Sequence, residues 1–249
     1  MAYFNGRKIL LAGLKGKPGE TPYVGENGNW WVGETDTGVS AAGEASNARI
    51  DELEKKVNDL LYKAITINSF TNNIGTVEMG TIVTDVTLAW KFSKKAKSVT
   101  LDGKEQAADS TGIALTGLSI SSNKTWTLKA TDERDATATK TTAVSFMNGV
   151  YYGVAAEPAV LDSAFILGLT RTLRSNKLTP FTVNAGQGQY IYYCLPTRFG
   201  ACTFTVGGFD GGFDLISTIK FKNASGYSED YYVYRSANAG LGSTAVGVK

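Results

Sequence analysis

The spacing of apolar side chains divides this chain into four stretches. Between residues 44 and 64, Ile50, Leu53, Val57, Leu60 and Ala64 recur at alternating steps of three and four, which predicts a helix with one narrow apolar seam. Ser46 is the expected N-cap; Asp51, Glu52 and Glu54 lie early, where the helix dipole favours anions, and Lys63 lies late, where it favours cations. A helix of about twenty residues is marginal alone in water. The seam must therefore be covered, and copies of the same chain are the preferred cover. Ile50 and Val57 at a positions with Leu53 and Leu60 at d favour a parallel pair, whereas Leu61 at e widens the face toward three or more helices. Arg49 at g and Glu54 at the following e are placed to pair between parallel chains.

From residue 65 to 149 the period shortens to two. Residues 65–70, 84–92, 98–101, 124–130 and 137–146 alternate, separated by turn signals at Asp102-Gly103, at residues 121–123 and at residues 132–135. Short alternating strands of this kind predict an immunoglobulin-like two-sheet sandwich, with Trp90 and Trp126 in its core. In residues 150–249, Leu161, Phe165, Leu169 and Leu173 recur every fourth position and predict a helix over 157–174. Strands follow at 190–195, 203–206, 215–221 and 231–234, giving a β-rich tip domain of α+β or mainly-β class. Residues 1–43 show little periodicity and read as an extended, Gly-rich attachment and linker segment. Within it Gly13, Gly16 and Gly19 fall on every third position, as collagen requires, but three triplets do not make a triple helix alone, and a turn-rich linker is an equal reading. Asn27-Gly28 predicts a tight turn between short aromatic strands, with Trp30 and Trp31 packing within an assembly. The expected fold is thus mainly β, modular and elongated: an extended N-terminal segment (1–43), a short coiled-coil helix (44–64), an immunoglobulin-like sandwich (65–149) and a C-terminal β-rich domain (150–249).

Composition narrows the chemistry. Apolar residues at 43% and aromatic residues at 11% are ordinary for a folded chain, and 28 glycines imply many turns. A net charge of +2 without a Lys/Arg cluster gives no support for a nucleic-acid partner. The longest apolar runs, such as residues 9–14, are far below the roughly 20 residues needed to cross a bilayer, so no membrane span is expected. Arg7 and Lys8 precede too short an apolar run, with no small-residue cleavage site, for a secretion signal, so the N-terminus is expected to stay on the mature chain. Histidine is absent, which removes the commonest general base and metal ligand. Cys194 and Cys202 either bridge a hairpin or, the preferred reading, stand as two independent buried thiols, kept reduced by assembly in a cytosol.

Candidate sites are few. Gly186-Gln187-Gly188 and the glycines at 207, 208, 211 and 212 lack the Lys-Ser/Thr arrangement of a phosphate loop. Asp210, Asp214, Glu229 and Asp230 offer carboxylates for glycoside hydrolysis, although loop acids more often form turns. Asp132, Glu133 and Asp135 lack the spacing of a calcium loop and read as a charged turn. No cofactor, metal or catalytic residue is assigned. Tyr190, Tyr192, Tyr193, Tyr231 and Tyr232 are the candidate ligand-binding residues, because flat amphipathic rings suit glycans, although strand alternation turns about half of such a set inward.

Three stretches carry a family resemblance: AYFNGRKIL at residues 2–10, GKPGETPYVGENGNWWVG at 16–33 and YSEDYYVYRS at 227–236. Together with the order of parts, they resemble fibre, tail and baseplate structural proteins of tailed phages. The resemblance implies a homotrimer attached to other virion proteins through its N-terminus, assembled in the host cytoplasm, with the distal domain binding a host-surface glycan or decorating the particle. No catalytic motif of that class matches. The expected function is therefore a non-enzymatic virion structural protein, with a tail-associated glycan hydrolase or a purely architectural baseplate or neck component as alternatives.

Overall fold

The computed structural model describes residues 2–4, 7–9, 20–42, 44–158 and 160–249. The glycine triplets at 13–19 lie outside the described residues. The chain divides into two units, Met1–Lys63 and Ala64–Lys249.

In the first unit β1 (Ala2–Phe4) pairs with β2 (Arg7–Ile9), and β3 (Tyr23–Val24), β4 (Asn29–Val32) and β5 (Thr35–Ser40) form an antiparallel sheet. The expected turn is present between β3 and β4, where Gly28 takes the left-handed conformation with φ of 78° that a side chain would oppose. Helix α1 (Glu44–Leu61) follows. It starts two residues before Ser46, so Ser46 lies inside the helix rather than capping it. It also stops before Lys63 and Ala64, and Ala64 opens the second unit. The seam therefore ends at Leu60, with Leu61 beside it.

The second unit begins with β6 (Ile67–Asn72), β7 (Thr76–Glu78), β8 (Val86–Phe92), β9 (Ser98–Leu101), β10 (Lys104–Gln106), β11 (Gly112–Leu115), β12 (Lys124–Thr131) and β13 (Thr137–Ala155). One sheet runs β6–β8–β11; the facing one runs β10–β9–β12–β13, with β7 added in parallel to β13. This arrangement, with the opening segment switching from one sheet to the other, is immunoglobulin-like. Alternation supplies the core: Val86, Leu88 and Trp90 from β8 meet Trp126, Leu128 and Ala130 from β12. Both predicted tryptophans are buried, at 3% and 4% exposure. The switch is made by Asn72, whose Oδ1 accepts from Ile74 N (3.0 Å) and Gly75 N (2.6 Å). Its Nδ2 donates to Ala143 O and Thr142 Oγ1, both at 2.9 Å. Gly75, at φ of 69°, completes the reversal.

Strand β13 does not stop where the sandwich does. Its 19 residues continue into a second pair of sheets, so the expected boundary at 149/150 falls within a single strand. The continuation comprises α2 (Ser163–Leu167), β14 (Thr170–Arg174), β15 (Phe181–Ala185), β16 (Tyr190–Pro196), a 3-10 turn (Thr197–Phe199), β17 (Phe204–Val206), β18 (Phe209–Asp210), β19 (Phe213–Lys222), β20 (Ser228–Ser236) and β21 (Gly242–Val248). One sheet is β14–β13–β16–β20–β19 and the other β15–β21–β17–β18. The expected helix over 157–174 contracts to the five residues of α2. Gly168 ends it, and the β-branched Thr170 and Thr172 find a ladder along β13 that offers more than a lengthened helix would. Leu161, Phe165 and Leu169 still pack on one apolar surface, which is why their spacing looked helical. The tip is consequently a two-sheet β-structure rather than α+β.

Asn72→Ala removes the four side-chain bonds that Asn72 makes at the strand switch, and each such bond contributes about 1 kcal/mol net. Urea unfolding of this variant is expected to show a loss of roughly 2 to 3 kcal/mol relative to the unsubstituted chain.

Candidate functional site

The tyrosines expected to form a ligand platform are mostly interior. On β16, Tyr190, Tyr192 and Cys194 face one side of the central sheet, and Ile191, Tyr193 and Leu195 face the other. Both sides are covered. Tyr193 stacks on Phe181 with ring centroids 5.5 Å apart, and its hydroxyl accepts from Leu178 N at 2.8 Å. Tyr231 donates to Gly149 O at 2.8 Å and packs on Phe221. Tyr192 meets Phe165 edge to face at 4.8 Å, with its hydroxyl buried and lacking a hydrogen-bond partner. Tyr192, Tyr193 and Tyr231 are thus withdrawn from the ligand surface, because a central strand buries both of its faces. Tyr190 and Tyr232 remain partly exposed but pack against opposite sides of the sheet, so they do not join in one platform. Tyr190 lies under Arg235, whose guanidinium carbon is 4.5 Å from the ring centroid and which pairs with Glu157.

The seam residues of α1 behave otherwise. Ile50, Leu53, Val57 and Leu60 are 51%, 53%, 50% and 85% exposed in the single chain, and Leu61 is 72% exposed. Ala64 is exposed but lies beyond the helix.

The structure gathers a set of polar residues that the sequence did not mark, where the immunoglobulin-like sheets meet the tip. Buried Glu78 accepts from Tyr151 Oη at 2.9 Å and pairs with Arg171 at 2.7 Å. Asn148, also buried, donates to Glu229 and accepts from Arg198, while Arg198 Nε pairs with Glu229 at 3.1 Å. Asn223 Nδ2 donates to Met79 O at 2.7 Å. Beside this network lies a cleft of about 300 Å³ between Phe146, Asn148, Arg174, Ser175, Arg198 and Phe199. Arg174 stands directly across the β13–β14 ladder from Asn148 and carries no hydrogen bond or ion pair among the described residues. These partners are 31 to 144 residues apart in sequence, so no local pattern pointed to them.

The candidate hydrolytic acids are spread over three strands: Asp210 on β18, Asp214 on β19, and Glu229 and Asp230 on β20. Glu229 is held by Arg198 and Asn148, and Asp230 lies 3.5 Å from Lys220. Asp214 sits opposite Arg235, toward the other end of the β19–β20 ladder. Asp132 uses one carboxylate oxygen on Arg134 N and Ala136 N and the other on Ile65 N and Lys94, as a structural turn does. Among the described residues, no group of three His, Cys, Asp or Glu gathers as a metal site. Both cysteines are free.

Burial raises the phenol pKa of Tyr151, Tyr193 and Tyr231, and the Glu78 charge adds to the effect at Tyr151. Burial likewise raises the Cys194 thiol and pushes Cys202 up to about 11, against a smaller opposing effect of Lys177.

No family model matches the chain, and no curated protein matches it. Among solved structures it is similar to the N-terminal eight immunoglobulin domains of Down Syndrome Cell Adhesion Molecule, at 12% identity and a TM-score of 0.22, covering 71% of this chain and 22% of that one. Chitinase ChiA74 from Bacillus thuringiensis overlaps at 13% identity and a TM-score of 0.25, covering 79% of this chain and 29% of the chitinase. Titin domains A168–A169 overlap at 10% identity and a TM-score of 0.25, over 75% and 95% of the two chains. The chain spans less than a third of the length of the first two, and superpositions this loose carry no functional argument.

Tyr192→Phe deletes a hydroxyl with no partner and is expected to leave unfolding free energy unchanged or higher, whereas Tyr231→Phe loses about 1 kcal/mol with its bond to Gly149. The folded state favours the neutral phenols and thiols, so their contribution is complete below the ordinary values of 9.0 for Cys and 10.0 for Tyr. It is lost as pH rises through those values toward the folded ones. The denaturation midpoint should therefore stay level from about pH 7 to 8.5 and fall above about pH 10; a level curve to pH 11 would count against this burial.

Proposed function

We propose that this chain is a non-enzymatic structural protein of a phage virion, a tail, baseplate or head fibre, which self-associates through α1 and presents residues 64–249 for host-surface binding. One observation carries the reading: the 18-residue helix α1 holds Ile50, Leu53, Val57 and Leu60 on a heptad seam that is half or more exposed in the single chain. A helix of that length draws its stability from a covered face. Each such side chain gains roughly 1.5 to 3 kcal/mol when buried, so four seam positions per chain favour association strongly. Leu61, on the flank of the seam, supports three copies over two.

The sheet β3–β4–β5 adds support. Tyr23, Val24 and Val39 are exposed and Trp30 and Trp31 only half-buried, although a three-stranded sheet needs a packed layer on its apolar face. The resemblance of residues 2–10, 16–33 and 227–236 to phage fibre proteins supplies the biological setting, with the N-terminal segment as the attachment point to the particle.

Light scattering coupled to size exclusion tests the association. The unsubstituted chain is expected at three times its 26.6 kDa mass, and Leu53→Asp/Leu60→Asp at the single-chain mass with its β spectrum retained. An unsubstituted chain that runs as a monomer at micromolar concentration would defeat the reading.

A further inference from the structure

The cleft beside the sandwich–tip joint contains an arginine with no evident structural duty. Arg171, three residues earlier on β14, is neutralised by Glu78, and Arg198 is held by Glu229 and Asn148. Arg174 has neither kind of partner among the described residues, although it is half-buried and faces the ladder position of buried Asn148. The lining therefore holds two guanidinium groups, of which the one on Arg198 is balanced by Glu229 beside the cleft. A guanidinium without a carboxylate partner keeps its charge-assisted donors available to an incoming anion. Arg198 is already fixed in orientation by its two partners, so an incoming acid would meet one rigid and one adjustable fork. Phe199, half-buried, gives the cleft an apolar wall, and Ser175 lies exposed at its edge. Its volume of about 300 Å³ lies at the small end of ligand pockets, enough for one charged sugar or polyol unit.

We propose that this cleft binds an anionic unit of a surface polymer, its carboxylate or phosphodiester oxygens taken by Arg174 and Arg198 and its carbon face resting on Phe199. The inference rests on the reading that residues 64–249 present a binding surface, and it supplies the ligand chemistry for that surface. Neutral glycans would lack the group that the free cation selects. The carboxylate of a uronate-bearing polysaccharide and the phosphodiester of a polyol phosphate share the required chemistry and differ in source.

Biolayer interferometry of the full chain on immobilised polygalacturonate, polyglycerol phosphate and dextran tests the proposal and separates the two sources. Binding is expected to at least one anionic polymer and not to dextran. Arg174→Gln should weaken it roughly tenfold through loss of a charge-assisted contact. Lys95→Gln, an equal charge change at an exposed position, should leave it unchanged. Absence of binding to both anionic polymers overturns the site. So does an equal effect of the two substitutions, which would mean long-range attraction only. A chain that is monomeric by light scattering but still loses affinity specifically with Arg174→Gln retains the site while losing the fibre stem.

Discussion

The continuity of β13 governs the larger unit. Nineteen residues of one strand serve first as an edge-region strand of the immunoglobulin-like sandwich and then as an inner strand of the tip. A hinge between the two would have to break that strand's ladders, with β12 and β7 on one side of the joint and with β14 and β16 on the other. The hydrogen bonds of a ladder are made together and lost together, so the joint is stiff on its own account. Glu78 with Arg171 and Tyr151, and Asn223 with the Met79 carbonyl, then fasten the loops on either side.

The aromatic content of the tip follows from the same geometry. Its central strands β16 and β20 are covered on both faces, by the β15–β21–β17–β18 sheet on one side and by α2 with its flanking segments on the other. Tyrosine fills such layers with a large ring while its hydroxyl reaches an unpaired backbone group at the margin. Tyr193 bonds Leu178, Tyr234 accepts from Cys202 N and Tyr231 reaches Gly149. Tyr192 breaks the pattern: Phe165 meets its ring edge to face, and its buried hydroxyl makes no hydrogen bond to a backbone group.

This explains what could be read in advance. The period of α1, the alternation of β8 and β12, the burial of Trp90 and Trp126 and the turn at Asn27-Gly28 are local facts, and each appears where its pattern placed it. The contracted helix at 157–174 shows the limit of such reading, since four-residue spacing also arises when an irregular segment covers a flat sheet. Asn148-Gly149 reads as a domain boundary because that dipeptide often turns the chain, yet β14 pairs across it and holds it extended. The tyrosines were conspicuous by number, but burial depends on what covers a strand, which alternation alone does not tell. The joint and its cleft were invisible, because Glu78, Asn148, Arg171, Arg174, Arg198 and Glu229 come from five separate segments.

The stiffness of the joint and the proposed recognition site meet at Asn148. A buried amide must satisfy its donor and its acceptor, and here it does so with Glu229 and Arg198, fixing a guanidinium at the rim of the cleft. The residue opposite it on β14 is Arg174, so the feature that locks the joint also positions one cation beside another. Under the proposed reading, a single small cleft of this kind would hold one charged unit weakly. Under the proposed assembly through α1, each copy adds a further cleft against the same repeating polymer. Simultaneous engagement of linked sites raises avidity by roughly 10² to 10⁴ without any new contact. A rigid joint favours that gain, because clefts fixed relative to their own tips lose less freedom when several engage at once.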